Sequence, residues 1–259
     1  MPKLSIILPT CNRADLLRDC LKSIRQGVRI RHEVIVVDGA STDHTPALLQ
    51  QELQTPGSSL RIIREPHREG FVRAANKGFR AARGQYLIWL NDDARLLPSS
   101  LDQAVQQLET SPPDVGLLAL FHRVNTTRSV AYETIRMGQA FKLLHVRGTL
   151  YANFGLGRRQ TFEQLGHFDE RFSFNGADPD FSLKIWHAGL KVVPAWGALV
   201  DHDEHDDDRR TTDTPRGTDD NLKLFEKWDL PPKNPAVNDF DPVNPCTLRG
   251  QRSGTILAA

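Results

Sequence analysis

The chain has 259 residues, 39% hydrophobic and 25% charged, which suits a soluble globular protein with one large α/β domain or two small ones. Its 33 Lys and Arg against 32 Asp and Glu give a formal net charge of +1, so no global field argues for nucleic acid and any recognition of phosphate has to be local. Three cysteines, Cys11, Cys20 and Cys246, form no CxxC pair and leave an odd one over, which fits a reduced chain whose cysteines act as small buried apolar groups.

The N-terminus MPKLSIILPTCNR lacks the apolar core of a signal peptide, and every apolar run falls short of the ~18 residues of a membrane span. A cytoplasmic protein is predicted, with peripheral contact at the inner face of a membrane left open. Lys3 to Leu8, closed by Pro9, and Ile35 to Val37, closed by Asp38, read as buried parallel strands. Between them Leu16, Leu17, Cys20, Leu21 and Ile24 share one face of a helix that Gly27 stops. Thr42 to Gln54 reads as a second helix with Pro46 in its first turn. Leu60 to Ile63 follows as a third strand, Phe71 to Arg83 as a third helix and Tyr86 to Leu90 as a fourth strand. This alternation predicts an open, mostly parallel Rossmann-like sheet flanked by helices.

Further on, Ser99 to Leu108 reads as a helix and Val115 to Val124 as a strand. From Asn125 to Leu150 the pattern weakens into mixed structure. Thr161 to Leu165 and Asp180 to Ala188 are helical, and Lys191 to Val193 and Gly197 to Val200 are short strands. The run HDEHDDDRRTTDTPRGTDD is nearly free of apolar residues and reads as a flexible loop or a segment ordered by a ligand. A short helix around Asn221 to Trp228 precedes an extended arm, Pro231 to Ala259.

Pro9-Thr10, Asp38 and Asn91-Asp92-Asp93 all follow strands at the same end, where open α/β sheets bind ligands. Asp92 and Asp93 repel each other, and a metal ion or cationic ligand offsets that cost in a folded site; in a surface turn, hydration does so. In FNGADPDFSLKIWHAGLKV, Asp180 fits helix capping. Asp178, before Pro179, is held extended, and Gly176 leaves room for a ligand, so Asp178 can act as a general base in a cleft. His202 and His205 in VDHDEHDDD read either as metal ligands drawn by the surrounding acids or as a solvated polar run. Asp38 can accept hydrogen bonds from a ribose or base edge, or form a turn. Arg73 and Asn76, three apart on the third helix, can face a diphosphate, although Arg73 also reads as a plain surface charge. There is no Walker A motif, no GxGxxG after the first strand, no GxSxG and no HExxH.

In order and spacing, SIILPTCNRADLLRDCLKSI, EVIVVDGASTDHT, REGFVRAANKGFRAARGQYLIWLNDDA and FDERFSFNGADPDFSLKIWHAGLKVV resemble family-2 glycosyltransferases of the GT-A fold. The resemblance runs from about residue 3 to 202. It implies a GT-A domain over residues 1–205, with a nucleotide-binding half to about 98 and an acceptor half beyond. The polar loop and arm of 206–259 are expected to pack on the same domain. It further implies that Pro9, Thr10 and Asp38 hold the nucleotide of a UDP-, GDP- or dTDP-sugar and that Asp92 or Asn91 reaches the ribose or sugar; Asn12, Arg13, Arg73 and Asn76 are expected on the donor beside them. Asp92-Asp93 takes the place of the DxD motif, with Asp93 and His202 on Mn²⁺ or Mg²⁺, and Asp178 falls where inverting members keep the base. The implied acceptor is a glycan, a lipid-linked or another hydroxyl compound. Three positions depart from the pattern. Gly39 stands where many members have a second acid, Cys11 where Tyr or Phe is common, and Ala177 where an acid usually precedes the base. Those departures give some weight to a catalytically silent sugar-nucleotide or glycan binding module. A nucleotidyltransferase is disfavoured, because LPTCNRADLL is not glycine- and lysine-rich enough for a triphosphate.

Overall fold

The computed structural model describes residues 1–124, 141–203, 219–230 and 242–243. His205, Cys246, most of the polar run after Asp203 and nearly all of the C-terminal arm lie outside these residues, as does 125–140. The first half alternates as the periodicity predicts: β1 (Leu4–Thr10), α1 (Ala14–Gly27), β2 (His32–Asp38), α2 (Thr45–Leu53), β3 (Leu60–Arg64), α3 (Phe71–Ala81) and β4 (Tyr86–Trp89). Then come β5 (Ala94–Leu96), α4 (Ser100–Thr110), β6 (Val115–Val124), β7 (Leu143–Val146), β8 (Thr149–Tyr151) and β9 (Gly155–Arg158). Helices α5 (Arg159–Leu165) and α6 (Ala177–His187), β10 (Lys191–His202), a helix over 219–227, here α7, and β11 (Pro242–Val243) complete the order.

Eight strands form one sheet in the order β3-β2-β1-β4-β9-β6-β10-β5, and β11-β7-β8 form a small second sheet. β1 pairs in parallel with β2 and β4, as do β2 with β3 and β6 with β10, whereas β9 and β5 run antiparallel to their neighbours. The chain steps outward from β1 to β3 and then returns to the other side of β1 with β4. Between the carboxyl ends of β1 and β4 the strand order therefore reverses, and such a switch point opens a crevice.

Alternation along the strands divides the core in two. Leu4, Ile6 and Leu8 of β1 pack with Leu17, Cys20, Leu21 and Ile24 of α1 on one face. Ile7 turns to the other face and joins Val72 and Phe79 of α3, Phe162 of α5 and Phe181 of α6 around Trp89. Trp89 is fully buried, with ring centroids of Phe79, Phe162, Phe168 and Phe181 at 5.1–6.4 Å, mostly edge-on. β9 pairs antiparallel beside β4, which sets Gly155 next to Trp89, and a Cβ on Gly155 would stand 2.0 Å from Trp89 Cη2, so this strand position needs glycine.

Several expectations are corrected. The two short strands predicted over 191–200 are one strand, β10, interrupted by a bulge between Ala195 and Leu199 where Gly197 takes φ 76°. Helix α6 begins at Ala177 rather than Asp180, so Asp178 is helical and not extended before Pro179; the proline sits in the first turn, where a missing N–H costs nothing. Asp180 makes no capping bond; its Oδ1 instead accepts Lys227 Nζ and Trp228 Nε1.

Candidate active site

At the switch point lies a cavity of about 310 Å³. Pro9, Thr10, Cys11 and Arg13 line it from the end of β1, Asn91, Asp92 and Asp93 from the end of β4, His202 from the end of β10, and Asp178 from the first turn of α6.

Thr10 Oγ1 donates to Asp92 Oδ2 at 2.8 Å, joining the two strand ends across the crevice. Arg13 Nη1 reaches Asp92 Oδ1 at 3.1 Å and Asp93 Oδ2 at 2.9 Å. Arg13, Asp92 and Asp93 are all buried, so the repulsion between the adjacent acids is offset by a cation of the chain itself. The other oxygen of Asp93, Oδ1, lies 3.1 Å from His202 Nε2, and Asn91 Nδ2 lies 3.2 Å from the same nitrogen. The antiparallel register of β10 on β5, with His202 opposite Ala94 and Asp203 N–H donating to Asp93 O at 2.8 Å, sets that approach.

Across the cavity, Asp178 Oδ1 is buried with no hydrogen-bond partner among the described residues. Burial raises its carboxyl to about 8, against smaller opposing effects of Trp89 and His202. The indole of Trp89 also donates to Asn153 O at 2.9 Å. Gly176, with φ 80°, caps α6, and a Cβ there would come within 2.8 Å of the Phe172 ring.

Four predicted site residues do not line the cavity. Asp38 is buried, and its Oδ1 accepts the Ser41 N–H at 2.9 Å, which is turn chemistry. Asn12 uses its Oδ1 on Thr42 N–H at 2.7 Å. Arg73 and Asn76 were expected to face a diphosphate, but Arg73 points to solvent near Glu170. The amide of Asn76 clasps the Phe168 backbone, donating to its carbonyl at 2.9 Å and accepting its N–H at 3.0 Å. Helix periodicity shows which residues share a face but not which neighbour that face meets.

Among the lining residues that the sequence did not single out are His122 and Glu65. His122 sits within the apolar run of β6, its Nδ1 buried without a hydrogen bond; burial, aided by His202, pulls it down to about 3, so it is neutral. Its ring lies 6.3 Å from that of His202. Glu65, just past β3, is held by Lys77 Nζ at 2.7 Å and by the Glu69 N–H. A Cβ on Gly39 would meet Thr10 O at 3.3 Å and Glu65 Oε2 at 3.5 Å, so a larger residue at 39 is crowded, and a carboxylate already stands beside it. Its position at a strand's carboxyl end was the available signal for Glu65; for His122 there was none.

Among the described residues, no three His, Cys, Asp or Glu side chains gather into a ready-made metal cage, and no helix is long and apolar enough to cross a membrane. Asp93 and His202 do offer two converging ligand atoms.

Comparison with known proteins agrees with this architecture. The chain is 33% identical over 227 residues to the O-antigen biosynthesis protein RfbC of Myxococcus xanthus, covering 78% of this chain and 17% of that protein. It is 33% identical over 107 residues to the GalNAc(5)-diNAcBac-PP-undecaprenol beta-1,3-glucosyltransferase of Campylobacter jejuni, covering 41% and 35%. It thus spans well under half of either relative. The mannosyltransferase PcManGT of Pyrobaculum calidifontis, solved with GDP-Man and Mn²⁺, superposes with a TM-score of 0.67 at 24% identity over 91% of this chain and 66% of that one. That likeness shows the GT-A fold. The glycosyl transferase family 2 profile matches residues 5–166, and the chain belongs to that family.

Proposed function

We propose that this chain is a metal-dependent, inverting glycosyltransferase that moves a sugar from a nucleoside-diphosphate donor to an acceptor hydroxyl. The observation that carries this reading is one cavity at the switch point with Asp92, Asp93 and His202 on one wall and Asp178 on another. The names of the relatives support a role in polysaccharide or glycoconjugate synthesis, and lipid-linked acceptors would bring the protein to a membrane surface. The donor is a UDP-, GDP- or dTDP-sugar.

Asp93 Oδ1 and His202 Nε2 fit a divalent cation, because a hard oxygen and an imidazole nitrogen meet at 3.1 Å and leave other positions to phosphate oxygens and water. The pair suits Mn²⁺ or Mg²⁺, which when bound supplies Lewis-acid stabilisation of the departing diphosphate. Thr10 and Arg13 hold Asp92 and Asp93 in place. Asp92 and Asn91 then face the ribose or sugar. Asp178 takes the acceptor's hydroxyl proton while that oxygen bonds to the anomeric carbon, and the electron pair of the breaking bond leaves on the diphosphate. Attack from the Asp178 side, opposite the leaving group, inverts the centre.

A thermal-shift screen of UDP-, GDP- and dTDP-sugars with and without Mn²⁺ tests this reading. One donor should raise the melting temperature only with Mn²⁺, and Asp93→Asn or His202→Ala should remove that shift. Asp178→Asn should keep the shift and lose transfer. Donor binding without turnover by the wild type would point instead to a binding module.

A further inference from the structure

Two carboxylates join helix α7 to the segment that carries Asp178. Asp220, fully buried at the start of α7, accepts three successive backbone N–H groups on Oδ2: Ser173 at 2.9 Å, Phe174 at 2.8 Å and Asn175 at 3.1 Å. Its Oδ1 accepts Lys223 Nζ at 3.0 Å. Successive amides turned to one point form a nest for an anion, and here the chain supplies that anion itself. The second tie runs the other way. Asp180 Oδ1 of α6 accepts Lys227 Nζ at 2.5 Å and Trp228 Nε1 at 2.8 Å, while Lys227 also reaches Asp169 at 2.8 Å.

Asp178 lies between the two ties. Phe174 and Asn175, whose amides Asp220 gathers, line the cavity, and Gly176 then turns the chain into α6. Leu224 of α7 already packs in the apolar cluster with Phe172, Ala177 and Phe181, so a buried carboxylate is not needed merely to dock this helix. Desolvating Asp220 is costly and is offset by charge-assisted bonds whose direction the loop must satisfy. Such a group fixes a conformation more than it adds cohesion.

We propose that Asp220 is a positioning residue: its carboxylate locks the Ser173–Asn175 amides in the arrangement that aims Asp178 into the cavity, so α7 sets the geometry of proton removal. The inference rests on the reading of Asp178 as the base.

Asp220→Asn in the full chain tests it, with nucleoside diphosphate release followed from the sugar nucleotide that stabilises the wild type. A lost alignment of this kind costs about 10- to 100-fold in kcat, with KM for the donor and its Mn²⁺-dependent thermal shift kept to within about twofold. Since Asp220 acts through Asp178, adding Asp220→Asn to Asp178→Asn should cost nothing further. If Asp220→Asn does not fold, Asp220→Glu carries the same measurements, because it keeps the charge but displaces it by a methylene. Wild-type kcat in a folded variant, additive losses in the double variant, or an equal loss of nucleotide binding would each overturn the proposal. Full turnover by Asp178→Asn would instead overturn the base assignment, a separate outcome from any result at Asp220.

Discussion

Arg13 Nη1 lies 2.9 Å from Asp93 Oδ2, and the same nitrogen reaches Asp92 at 3.1 Å. A guanidinium from the loop after β1 therefore already sits on the acidic pair at the end of β4. Removing it should leave two adjacent buried carboxylates facing each other. Arg13→Met is expected to lose about 3–5 kcal/mol of stability in EDTA, the usual cost of breaking a buried pair on one side. Mn²⁺ should restore more of the melting temperature in the variant than it adds to the wild type, because a dication can replace the missing charge. An Arg13→Met chain that melts like the wild type in EDTA would show that the acids do not depend on this partner.

Asp178 titrates well above the ordinary carboxylate range, at about 8 against 3.8, because burial disfavours its charge. Two consequences have opposite signs. In the proposed role of base it would have to be ionised, so transfer should rise with pH along an acid limb above the usual carboxylate range. A nearby bound cation would draw that limb below 8. For stability, the folded state holds a proton between 3.8 and about 8 that the unfolded chain has released, so this group's contribution falls as pH rises through that window. Asp178→Asn should therefore melt higher than the wild type at pH 8–9, by roughly 2–4 °C for a gain of about 1 kcal/mol, while losing transfer. Melting curves at pH 5 and pH 9 check the sign, since the difference should shrink at the lower pH.

Asn76 separates structure from donor binding. Its amide satisfies both backbone groups of Phe168 and also donates to Glu170 at 3.0 Å. Asn76→Ala strands buried polar groups and should cost about 1–3 kcal/mol in urea unfolding. Nucleotide affinity should stay at the wild-type value, because the side chain does not reach the cavity. A selective loss of nucleotide binding with stability unchanged would return Asn76 to the donor site.

Gly155 is sterically committed to Trp89. Gly155→Ala should destabilise by about 1–3 kcal/mol through overpacking and shift the tryptophan emission. Trp89→Phe frees the space beside Gly155, so the double variant should lose less than the sum of the singles. Strict additivity would show that β9 and Trp89 move apart without strain.

The sequence by itself determined those elements whose signal is local. The β1-α1-β2 opening, α3 and β6 were legible because apolar residues repeat with the period of the element that buries them. The strand-end position of Thr10 and Asp92-Asp93 followed from the same pattern. Strands β5 and β9 were not legible, since ARL and GLGR are short and become strands only by pairing with β10, β4 and β6. Nor could β10 be read as one strand across its bulge. The tertiary structure alone decided what surrounds the acidic pair: the β1–β4 switch point brings Arg13, and the register of β10 on β5 brings His202. It likewise turned Asp180 from an expected helix cap into the anchor of α7, and gave Asp220, within a polar run that reads as a flexible loop or a segment ordered by a ligand, three amides to hold. Periodicity reports which face of an element is apolar; which charge meets which depends on pairings between segments far apart in the chain.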